Sequence, residues 1–143
     1  MDTNKAAGLL EAARPVAELC RGLHERNFRK ISEQLAPDVV WTIVGRPDRF
    51  QFGGPQNKTQ FLQGIQAALP TFEHFSFEVL SWARNDAIVF IEAQVDGRGP
   101  GTLEYTNRYL VRFITRDGLI TSALEHYDPF EALAFVEQLS ARV

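Results

Sequence analysis

Two glutamates, Glu92 and Glu125, are the residues of this chain best suited to moving a proton. Each lies in a run of β-branched and aromatic residues, at 87–95 and 119–127, so each belongs to a strand. A carboxyl group withdrawn from water has its pKa raised, and a like charge nearby raises one of a pair further. Such a group can serve as general acid or base near neutral pH. Strand alternation sets Gln94 beside Glu92, puts Tyr105, Asn107 and Tyr109 on one face of 103–115, and sets Tyr127 beside Glu125. If these faces coincide, all of them converge above an apolar floor, as a pocket for a small apolar molecule requires. Asn107 would then donate to a developing oxyanion and the tyrosines would orient the ligand. A structural alternative stands beside this one. Either glutamate can pair with Arg98, Arg108 or a rim amide, Asn107 can bridge side chains in the wall, and strand aromatics commonly serve packing.

The other candidates have simpler readings. Asp128 followed by Pro129, Phe130 and Glu131 is a helix cap, and His126 points away from Glu125 by parity. His24 and His74 have no partners at ligand spacing, so no metal site is expected. Gly97 to Gly101 sits in a hairpin and opens no helix, which excludes a phosphate loop, and no cofactor is implied. Cys20 is the single cysteine and reads as a packed thiol.

The elements that must position these groups follow from periodicity. Leu9, Ala13, Val16, Cys20 and Leu23 describe an amphipathic helix that Pro15 either kinks or begins anew. A shorter helix spans 27–34 and a first strand 39–44. Residues 45–57 form a loop with a brief strand at Phe50 to Phe52, and Asn57 with Gln60 makes a capping box for a helix ending before Pro70. Strands then follow one another through turns at Asn85-Asp86, Gly97 to Gly101 and Asp117-Gly118, an antiparallel meander. A final helix from Asp128 buries Phe130, Leu133 and either Val136 or Phe135. Helices at both ends with a sheet between make the class α+β.

At 143 residues, with 45% hydrophobic and 23% charged residues, the chain reads as one globular domain, 1–143. A net charge of -3 with scattered basic residues argues against nucleic acid, and no apolar run is long enough for a membrane span. A cytoplasmic location is expected. The run 87–95 is apolar on both faces, with Val89, Ile91, Ala93 and Val95 read as facing outward and Ile88 and Phe90 inward with Glu92 and Gln94. Leu80 and Trp82 join that outer face, and a second copy of the chain is expected to cover it as a homodimer.

Ala36-Pro37-Asp38-Val39-Val40-Trp41, Tyr105-Thr106-Asn107-Arg108-Tyr109 and Asp117 to Ile120 running on to Glu125-His126-Tyr127-Asp128-Pro129 carry a resemblance. In these stretches, and in element order along nearly the whole chain, the sequence resembles the SnoaL-like branch of the nuclear transport factor 2-like superfamily. That superfamily also holds ketosteroid isomerases and limonene epoxide hydrolases. The resemblance implies a cone-shaped fold in which a strongly bent antiparallel sheet is covered by N-terminal helices and a C-terminal helix. It also implies that Trp41 lines the pocket. The positions matching the epoxide hydrolase machinery are Trp41, Ile43, Glu92, Gln94 and Glu125, of which only Glu125 keeps its carboxylate, so that mechanism is disfavoured. A polyketide cyclase of the SnoaL kind needs only one acid or base and a shaped apolar cavity. The expected function is therefore cofactor-independent proton transfer, isomerisation or cyclisation of a small apolar carbonyl compound. Glu125 would be the acid or base and Glu92 its modulator. The alternative is a ligand-binding or interaction domain without chemistry.

Overall fold

The computed structural model describes residues 3–142, with side chains from residue 7 onward. Pro15 begins a helix and does not kink one: α1 (Thr3–Ala12) ends before it, and α2 (Arg14–Glu25) carries it in its first turn. There its missing N–H costs no helical hydrogen bond. Val16, Leu19, Cys20 and Leu23 form the buried stripe of α2. Arg26 ends α2 in the left-handed region at φ 55. Its guanidinium donates to the Phe72 carbonyl at 2.6 Å, fixing the helix end against the turn after the fourth helix. Asn27 caps α3 (Phe28–Glu33) by accepting from the Lys30 N–H at 3.0 Å.

Strand β1 (Leu35–Ile43) starts before Pro37, earlier than β-branched composition indicated, because Leu35 already pairs with Ile120. The short strand after it is β2 (Gly54–Gln56), not Phe50 to Phe52. The Arg46 carbonyl accepts from both the Arg49 and Phe50 N–H groups, winding that stretch into a turn and folding the Phe50 ring inward. The expected capping box opens α4 (Lys58–Ala68): Asn57 and Gln60 exchange side chain-to-backbone bonds, each of 2.9 Å.

Four long strands follow, β3 (His74–Asn85), β4 (Ile88–Arg98), β5 (Glu104–Arg116) and β6 (Leu119–His126), and then α5 (Pro129–Ala141). Asp117 and Gly118, at φ 53 and 76, make the β5–β6 hairpin with both turn residues in the left-handed region, as the sequence indicated. The curved six-stranded sheet has the order β2-β1-β6-β5-β4-β3 and is antiparallel except where β1 lies parallel to β6. That pair is joined by the rest of the fold, the long connection that parallel strands need. The mixed α+β architecture agrees with the sequence reading.

The faces of β4 are the reverse of the sequence reading. Val89, Ile91, Ala93 and Val95 are buried beneath the helices, while Phe90 is 51% exposed on the outer face. Trp82 also turns inward, against Gly8 of α1, because a bulge between Val79 and Ser81 shifts the parity of β3. Phe130, expected to be buried, is 77% exposed, and the buried residue of α5 is Ala132. No helix among the described residues is long and apolar enough to cross a membrane.

Candidate active site

The concave face of the sheet, α4, α5 and the end of α2 surround a cavity of about 270 Å3. This lies just below the ~300–1,000 Å3 typical of small-ligand pockets. Trp41 and Ile43 of β1, Tyr105 and Tyr109 of β5, and Glu125 with Tyr127 at the end of β6 form the sheet wall. Phe61, Phe72 and Phe135 close the helical side. Among the described lining residues Glu125 is the one carboxyl, and none is lysine, arginine or histidine.

Glu125 is held from both sides of its strand, facing Ile43 on β1 and Val111 on β5. Burial among these rings pushes its carboxyl up from 4.5 to about 7. The nearby indole N–H of Trp41 works in the opposite direction. Trp41 is locked by stacking on Phe61, ring centroids 3.9 Å apart, and by an edge contact with Phe113 at 5.8 Å. Its Nε1 is buried and has no hydrogen-bond partner among the described residues, so it acts on Glu125 by proximity and not through a formed bond. That leaves one carboxyl poised to gain or lose a proton near neutrality, with no cation among the described lining residues to hold it ionised.

Three phenols surround it. The Tyr105 and Tyr109 hydroxyls lie 2.8 Å apart, and Tyr109 stacks on Tyr127 at 4.9 Å. Burial pushes Tyr105 up to about 12 despite its hydrogen bonds with Tyr109 and Asn107, and it raises Tyr109 and Tyr127 as well. Negative charge on Glu125 adds to each of these shifts. At neutral pH all three are therefore protonated donors.

Asn107 stands behind this wall and does not line the cavity. It is 5% exposed, and its Oδ1 accepts from the Arg108 and Asp128 N–H groups at 2.9 and 3.0 Å. Its Nδ2 donates to the Asp128 carbonyl at 3.0 Å and to the Tyr105 hydroxyl at 2.9 Å. Direct donation to a ligand oxyanion is thus replaced by the bridging role. Asp128 caps α5 through a 2.9 Å bond from the Phe130 N–H, and His126 faces outward, both as expected.

Glu92 and Gln94 are not in the site. Register pairs them with Leu110 and Arg108, placing them on the outer face. There Glu92 accepts from Arg108 at 2.8 Å and Ser81 at 3.0 Å, and Gln94 bonds Thr106 at 3.1 Å and Arg108 at 2.9 Å. Ala93 and Val95 of β4 face inward, and Val95 lines the cavity. Ile88 and Phe90 misled the reading because apolar side chains sit on both faces of this strand. The β4–β5 register supplied the missing signal, since it puts Ala93 opposite Tyr109. Sequence reasoning also missed Gln56 and the phenylalanines as lining residues; Phe72 reaches the wall only because Gly97 has no side chain. A Cβ there would lie 2.6 Å from the Phe72 ring. Among the described residues no group of three His, Cys, Asp or Glu side chains could hold a metal ion. Burial pushes the Cys20 thiol up to about 12, leaving it unreactive.

The SnoaL-like domain family matches residues 16–123, most of the chain. The chain belongs to this family. No match is found among curated protein sequences. Solved structures agree with this SnoaL-like domain in fold at low identity. The pinacolase BvnE from Penicillium brevicompactum is 13% identical with a TM-score of 0.76, the match covering 90% of this chain and 93% of that one. IdmH, a putative polyketide cyclase from Streptomyces antibioticus, is 19% identical with a TM-score of 0.70, covering 87% and 96%. An epoxide hydrolase of M. tuberculosis, described as LEH-like, is 19% identical with a TM-score of 0.68, covering 93% and 97%.

Proposed function

We propose that this SnoaL-like domain catalyses cofactor-independent proton transfer on a small apolar carbonyl compound, the step on which isomerisations and cyclisations of such compounds turn. The observation that carries this reading is a cavity carboxyl, Glu125, the one among the described lining residues, with its pKa raised to about 7 by burial. Ionised, Glu125 takes a proton from the carbon next to the carbonyl; the resulting acid returns it to another position. The surrounding phenols accompany the charge that moves onto oxygen. The pinacolase and the putative cyclase share the fold and support small-molecule chemistry of this kind. Epoxide opening fits less well, since the positions matched to its machinery at Glu92 and Gln94 face away from the cavity.

The test is exchange of the α-hydrogens of 1-tetralone for deuterium, followed by NMR with the purified protein. Exchange by wild type and its loss in Glu125→Gln is the expected result. A ligand-binding domain without chemistry would bind the ketone and leave its α-hydrogens in place.

The outer sheet face supports a homodimer. Phe90 and Leu110, 51% and 56% exposed, lie on adjacent strands there, beside Arg112, whose Nε is buried with no partner among the described residues. Sedimentation should give a dimer at micromolar concentration, converted to monomer by Leu110→Asp. We place the protein in the cytoplasm, where its single thiol stays reduced; a fluorescent fusion reports the compartment.

A further inference from the structure

The proton count of the Asn107, Tyr105 and Tyr109 network defines what the cavity can recognise. The Asp128 N–H can only donate and its carbonyl can only accept, so together they fix which end of the Asn107 amide is which. One Nδ2 hydrogen goes to that carbonyl, and the other has to go to the Tyr105 hydroxyl oxygen. The Tyr105 and Tyr109 hydroxyls carry two protons between them, and the 2.8 Å bond that joins them uses one. Whichever hydroxyl donates within the pair, one proton is left over. No acceptor among the described residues takes it, because the one group touching the pair from behind is itself a donor. A buried donor without a partner is costly, and a ligand oxygen relieves that cost.

From this count we infer that the cavity binds neutral ligands through a carbonyl-type oxygen that accepts the surplus proton of the Tyr105–Tyr109 pair, with Asn107 as the positioning residue that makes the pair a donor. Among the described residues no cationic side chain lines the cavity to hold a carboxylate or phosphate. The ten aromatic lining residues include Phe75 and Phe77 and favour a flat, apolar ligand body around that oxygen. The inference rests on the proposed carbonyl chemistry of the same site but concerns binding alone.

The test compares 1-tetralone with tetralin, which has the same rings without the oxygen, by NMR titration, and reads the bound ketone's C=O stretch by isotope-edited infrared spectroscopy. Wild type should bind the ketone about tenfold more tightly, the worth of one well-made hydrogen bond, with the stretch moved to lower frequency. Tyr105→Phe and Tyr109→Phe each leave one free hydroxyl proton, so either variant keeps the preference; the double variant loses it. Asn107→Asp turns the fixed donor into an acceptor, which draws the surplus proton inward and abolishes both preference and shift with both tyrosines present. Should that variant fail to fold, the single and double phenylalanine variants decide the matter. Failure of the ketone to bind better than tetralin, or a double variant that keeps the preference, overturns the inference. The two proposals fail separately: preference without α-hydrogen exchange refutes only the catalytic reading, and exchange without preference refutes only this one.

Discussion

Glu125 and Glu92 stand on strands β6 and β4 of one sheet with only β5 between them, yet the two carboxyls live under opposite rules. Glu92, on the convex side, is met by the Arg108 guanidinium and the Ser81 hydroxyl at the edge of water. Glu125, on the concave side, has rings and phenols around it and, among the described residues, no cation. Residue type is the same; the face of the strand decides whether the group is a surface ion or a tunable acid. Proton chemistry needs the second condition.

The sharpest way to break this comparison is to remove the charge from each in turn. Glu125→Gln should lower the α-hydrogen exchange rate by about 10²–10⁴-fold, the usual worth of a positioned acid or base. In wild type the rate should climb with pH and level off above about 7, because the base must be ionised. A flat profile through that range would remove Glu125 as the base.

Stability sharpens the contrast next. Between about pH 4.5 and 7 the unfolded chain has released the Glu125 proton while the folded chain keeps it, so this group's contribution falls as pH rises across that window and is level above it. Glu125→Gln should therefore be more stable than wild type at pH 8 by about 1–3 kcal/mol, with the advantage gone near pH 4.5. Equal urea midpoints for the two proteins at both pH values would contradict a buried carboxyl. Gly97→Ala, which drives a methyl into the Phe72 ring, should cost about 1–3 kcal/mol in thermal or urea unfolding and weaken ketone binding as the cavity wall shifts. The smallest effect belongs to the outer face. Glu92→Gln should change stability by at most about 1 kcal/mol and leave exchange within about twofold of wild type. A large loss of exchange in that variant would reunite the two glutamates functionally.

Local chemistry made much of the fold legible in advance. The Asn57–Gln60 box, the Asp128 cap and the Asp117-Gly118 hairpin depend on a few adjacent residues, and each occurs where its pattern stands. The inner face of β5 was readable for the same reason, since Tyr105, Asn107 and Tyr109 alternate with Thr106 and Arg108. What remained hidden depends on partners far along the chain. β4 shows apolar residues on both faces, so only its pairing with β5 tells that Ala93 points inward and Glu92 outward. The bulge at Leu80, which turns Trp82 into the core, leaves no mark in composition. Half of the expected acid pair was misplaced on that account, while Glu125 kept its place because the irregularity of β6, between Ile120 and Ser122, lies before it and leaves Ala123 and Glu125 on one face.

Being interior to the sheet, β6 is stitched along both edges, to β1 and to β5, so the carboxyl group is mounted on backbone that has little freedom to shift. The opposite boundary of the hollow is made of side chains from α4 and α5, which pack on the sheet without sharing its ladder. An engineer wishing to admit a bulkier molecule could trim Phe61, Ile65 or Phe135 and enlarge the chamber from the helical side, while the reactive oxygen atoms stayed at the same address.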